Sequence, residues 1–122
     1  MNESSAFNPA ALERLCRLGG DKFAGEMIDL FSSYGAKKIG EARQAQQTGN
    51  LVALAAAAHP LKSSAGNVGA VRVQELAAQV ESSAQELKAE QAGALLSELA
   101  RAFAEAVNFL ESEKAKLAKP SS

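Results

Sequence analysis

Apolar residues recur along most of this chain at steps of three and four, the spacing of a single buried helical face. The clearest case is Leu51, Leu54, Ala58, Leu61, Ala65 and Val68, where the two steps alternate. Upstream, Phe23, Met27, Leu30, Phe31, Tyr34, Ile39 and Ala42 sketch a second buried face on a helix from Asp21 to about Thr48. Downstream, Val73, Leu76, Val80, Ala84 and Leu87 predict a helix from Val71 to Lys88. After a break at Ala89–Gly93, Leu96, Leu99, Phe103, Val107, Leu110 and Leu117 predict another. No stretch alternates β-branched and polar residues in the manner of a strand.

Breakers and caps punctuate these faces. Asn8-Pro9 is a strong helix start, with Asn8 as cap, Pro9 in the first helical position and Phe7 set to staple onto Leu12. That first helix is short, because Gly19-Gly20 follows Leu18; its apolar side is Leu12, Leu15 and Leu18. Gly49-Asn50 separates the long helix from the next, and Gly69 is a stop signal for the one after. Gly25, Gly35 and Gly40 lie inside the long helix, where each costs about 1 kcal/mol against Ala unless close packing requires it. The expectation is all-α: an antiparallel up-down four-helix bundle over 21–117, with a cap helix at 8–18 and a tail at 118–122.

Composition narrows the function classes. A chain of 122 residues supports one domain with a modest core. A net charge of −1 with no like-charge block argues against nucleic acid as a partner. No apolar run is long enough to span a membrane, and the first residues have neither a basic nor an apolar signal region. Cys16 is alone, which suits a reducing compartment; the expected location is cytoplasmic and the expected state a monomer. One His and one Cys make no transition-metal site of the usual kinds, so neither a metal nor a bound cofactor is expected.

The single histidine, His59, lies within Ala55-Ala-Ala-Ala-His59-Pro-Leu-Lys62-Ser-Ser-Ala-Gly66-Asn67. On a helical wheel it falls roughly 130° from the middle of the Leu51–Val68 stripe, outside the core face. Beside it, on the turns before and after, lie Ala55, Ala56, Lys62, Ser63 and Gly66, small apart from the lysine. A proline beside the only histidine removes a backbone hydrogen bond and costs about 3 kcal/mol in an ordinary helix interior. That cost is tolerable where the segment has another task. Neutral imidazole is a nucleophile near neutral pH, and a lysine one turn on can attract phosphoryl oxygens. There is no Gly-rich nucleotide loop and no second catalytic group. Whatever reacts with His59 must bring most of the catalytic apparatus itself.

This stretch, Ala58-His59-Pro60-Leu61-Lys62-Ser63 with Gly69-Ala70 further on, resembles the histidine-containing phosphotransfer (HPt) domain of two-component phosphorelays. Leu76-Ala77-Ala78-Gln79-Val80-Glu81 is similar to the family's following segment, and Ser63 departs from the glycine frequent there. The resemblance implies a phosphoryl carrier without its own ATP site. His59 would accept a phosphoryl group from a receiver-domain phospho-aspartate and pass it to another receiver's aspartate. Lys62 would assist electrostatically, and the receiver would supply Mg²⁺ and its own lysine. Ala55, Ala56, Ser63, Gly66 and Asn67 would form the docking face, joined by Lys38 and Arg43 from the antiparallel neighbour helix. The alternative is a non-catalytic helical adaptor that binds or sequesters a receiver domain or another partner through the same face.

Overall fold

The computed structural model describes residues 6–118; the ends of the chain, including most of the expected tail, lie outside them. Four α-helices follow one another: α1 (Pro9–Gln47), α2 (Leu51–Val68), α3 (Val71–Gln85) and α4 (Ala89–Ala118). Each packs on its sequence neighbour, and α1 also meets α4, so the helices close an antiparallel ring around one core. No described helix is long and apolar enough to cross a membrane.

The caps form where the side chains allow. Asn8 accepts a hydrogen bond from the Ala10 amide at 3.1 Å, and Asn50 accepts one from Ala53 at 3.0 Å. Caps of this type are worth about 1 kcal/mol each. The expected cap helix and long helix are one element, α1, whose single non-helical residue is Gly20 at φ 88°. Gly69 ends α2 at φ 78°, and a Cβ there would collide with the Asn8 carbonyl. The same contact carries a hydrogen bond from the Asn8 amide to the Gly69 carbonyl at 2.8 Å. The start of α1 is thereby tied to the α2–α3 turn.

Three of the expected faces need correction. On α1 beyond Gly20 the buried residues are Ala24, Gly25, Ile28, Phe31, Gly35, Ile39, Ala42 and Ala45, while Leu30 and Tyr34 are exposed. Small residues were the hidden signal: a Cβ on Gly35 would strike the ring of Phe103, which itself tilts against Phe31 at 5.3 Å. Leu18 is exposed too, because the chain turns at Gly20 and leaves only Ala11 and Leu15 of that segment buried. Phe7, the expected staple partner of Leu12, stacks on Phe109 of α4, with ring centroids 4.0 Å apart, and lines one groove together with Leu12. Finally, α3 stops at Gln85 and α4 begins at Ala89, so Gly93 lies inside a helix and Leu87 sits in the turn, exposed.

The face of α2 lies as its spacing predicts. Leu54, Ala58, Leu61, Ala65 and Val68 are buried, with Ala57 beside them. Through Pro60 the helix continues from Leu51 to Val68. Pro60 leaves the Ala56 carbonyl without its usual amide donor, but Ala56 is exposed, so water can take that place.

Candidate functional site

The α2–α3 hairpin turns at Gly69-Ala70, so residues equidistant from the turn face each other. Gly66 lies under the Gln74 side chain by this rule. One step of the pattern further out, His59 and Glu81 face each other as well. Glu81 Oε2 lies 2.7 Å from His59 Nδ1, and Glu81 Oε1 lies 2.5 Å from Lys62 Nζ. His59 and Lys62 are three apart on α2 and share a face, so one carboxylate can hold both.

The exposures differ in a way that matters. The Glu81 side chain is 12% exposed, Lys62 33% and His59 66%. Glu81 is therefore a nearly covered anchor, and the imidazole stands out from it into solvent. Burial alone would raise the Glu81 carboxyl. The hydrogen bonds and charges of Lys62 and His59 outweigh that effect and hold it below the ordinary glutamate value.

A carboxylate can only accept hydrogen bonds, so the proton of a neutral His59 ring is assigned to Nδ1. The lone pair then belongs to Nε2, for which no hydrogen-bond partner exists among the described residues. The arrangement fixes the tautomer and the ring direction and presents Nε2 outward. It can also stabilise positive charge on the ring when Nε2 forms a bond.

The remaining candidates divide into two groups. Ala56, Ser63 and Asn67 are exposed on α2, and Ala55 and Gly66 are half-buried beside them. Lys38 is committed to its own helix: it pairs with Glu41 at 3.0 Å and lies 5.5 Å above the Tyr34 ring. The Glu41 hydrogen bond raises its ammonium above the ordinary value, against a smaller opposing effect of burial. Arg43 is exposed on α1, and neither basic residue joins the His59–Glu81–Lys62 cluster by a hydrogen bond or ion pair.

Glu81 is the residue that periodicity did not place in the site. The signal was available: His59 and Glu81 are equally far from Ala70 in the sequence, so a tight antiparallel turn there makes them partners.

Comparison with solved structures gives a match to the crystal structure of histidine-containing phosphotransfer protein B (HptB) from Pseudomonas aeruginosa PAO1. The TM-score is 0.87 at 24% identity, covering 93% of this chain and 98% of that one. At that identity the likeness speaks for the fold. Comparison with curated proteins gives no match. A model of the Hpt domain family matches residues 26–109, which include α2, α3 and the whole His59–Glu81–Lys62 cluster, and the chain belongs to that family.

Proposed function

We propose that this chain carries phosphoryl groups on His59 Nε2 between receiver domains of a phosphorelay. Phosphotransfer is the function of the family; the assignment of atoms and residues is our reading. The single observation that carries it is the Glu81–His59 contact, which occupies Nδ1 and leaves Nε2 as the nucleophile.

In the transfer step the Nε2 lone pair attacks the phosphorus of a receiver's aspartyl phosphate. The N–P bond forms as the P–O bond to the aspartate breaks, and the aspartate departs as carboxylate. The Nδ1 proton stays in place, and the charge gained by the ring is balanced by Glu81. Onward transfer is the reverse step with a second receiver. Such a transition state demands in-line placement more than covalent chemistry from the protein. Lys62, tethered at Glu81, is one helical turn from the ring and offers its ammonium to phosphoryl oxygens. The receiver's acidic pocket supplies the Mg²⁺. Small side chains at Ala55, Ala56, Ser63 and Gly66 leave room for the receiver's loops, with Asn67 at the edge.

The test is transfer itself. Wild-type chain and His59→Gln are incubated with phosphorylated receiver domains from the same genome and Mg²⁺. Acid-labile, base-stable label on the wild type and none on the variant is expected. Label persisting on His59→Gln, or receiver binding with no transfer to the wild type, contradicts the proposal.

A further inference from the structure

Two of the most exposed large apolar side chains in the molecule stand close together beside the phosphotransfer site. Val52 is 81% exposed and Leu87 75%. They line one groove of about 430 Å³ between the start of α2 and the end of α3, with Leu51, Ala55, Ala56 and Ala84. Glu81 also lines it, so the groove opens onto the residue that holds His59. On α2, Val52, Ala56 and His59 follow at steps of four and three and therefore share a face.

Leu87 is held out by the backbone. It has φ 63°, the one positive φ among the described non-glycine residues. Its amide donates to Ala84 and the Lys88 amide donates to Ser83, so Leu87 fills the left-handed position that closes a helix and normally falls to glycine. A leucine there gains nothing from burial.

Geometry puts this groove within reach of any partner that touches His59. Val52 is seven residues from His59, or roughly 10 Å along the helix. A standard interface of about 800 Å² per partner has a radius of roughly 16 Å. A receiver seated on Nε2 therefore covers ground as far as Val52. Beyond His59 in the other direction the exposed residues are Ser63 and Asn67, both polar. Glu81 is the only charged residue lining the groove, and it is already committed to His59 and Lys62.

We infer that this groove receives an exposed aliphatic or aromatic side chain of the receiver domain, beside its phospho-aspartate, and that Val52 and Leu87 select which receivers the chain serves. This rests on the carrier reading and adds a direction to it: docking extends from His59 toward the α3–α4 turn.

The experiment uses the full chain and the receiver domain that transfers fastest to it. Val52→Ser, Leu87→Ser and Leu87→Gly are compared for receiver affinity by titration calorimetry, with the receiver held in its active form by beryllofluoride. His59 labelling by phosphoramidate, a small donor that needs no docking, is measured alongside. The inference predicts at least a tenfold weaker Kd in each variant, with phosphoramidate labelling within twofold of wild type. Leu87→Gly should melt no lower than wild type, since it relieves the positive φ, which separates docking from folding. Unchanged Kd overturns the inference, as does a parallel loss of phosphoramidate labelling. A wild-type dimer that Val52→Ser dissolves assigns the groove to a second copy and overturns it too. Failure of every receiver to label the wild type overturns the carrier reading itself, and the docking face with it.

Discussion

Glu81 and His59 are joined across the α2–α3 hairpin by a 2.7 Å contact from Oε2 to Nδ1, with Glu81 nearly covered and His59 standing free. The carboxylate both aims the ring and answers its charge. Glu81→Gln keeps an oxygen for Nδ1 but removes the charge. A hydrogen bond to a charged group is worth about 1.5–3 kcal/mol. Transfer from a receiver should therefore slow by roughly 10- to 100-fold, measured in single-turnover assays. An undiminished rate would remove Glu81 from the mechanism.

The same residue predicts a pH dependence of stability. Its carboxyl is held below the ordinary glutamate value by Lys62 and His59. A depressed carboxylate contributes stability that is complete above the unfolded value of about 4.3 and is lost as pH falls through the folded one. Urea unfolding of wild type and Glu81→Gln should differ at pH 7, and the gap should narrow below about pH 4. A gap that widens on acidification would show that the pair does not bind in this sense.

Lys62 shares Glu81 with His59, so it has both a tethering and a phosphoryl-facing role in this account. Lys62→Ala should slow transfer while leaving helical circular dichroism unchanged. Lys62→Arg keeps the charge and should recover part of the rate. Equal rates for wild type and Lys62→Ala would confine the lysine to structure.

Two glycines make a paired test of the fold. Gly69 has a positive φ and abuts the Asn8 carbonyl, so Gly69→Ala should destabilise by about 1–3 kcal/mol. Gly40 is helical with open space around its Cα, so Gly40→Ala should stabilise by up to about 1 kcal/mol. Urea midpoints moving in the same direction would contradict the packing described.

The four-helix architecture and the α2 face were legible because leucine, alanine and valine repeat there with helical spacing and Asn50 and Gly69 mark the ends. The family was legible for a different reason, a short run around His59 and Lys62. On α1 the pattern misled, since Leu30 and Tyr34 outweigh small residues in any hydrophobic count. The helix packs through Ala24, Gly25, Gly35 and Ala42, where close approach matters more than side-chain size. Leu87 misled likewise: it fits the inward spacing of α3, but the helix ends first. Pro60 does not end α2, which continues to Val68, and Ala56, whose carbonyl loses its usual donor, is an exposed residue.

The central claim is that Nδ1 is taken and Nε2 reacts. Its most direct test is NMR of the phosphorylated chain, with imidazole ¹⁵N shifts and ³¹P couplings distinguishing the two phosphohistidine isomers. Phosphorus on Nε2 of His59 is expected, with Nδ1 still protonated against Glu81. Phosphorus on Nδ1 would contradict it.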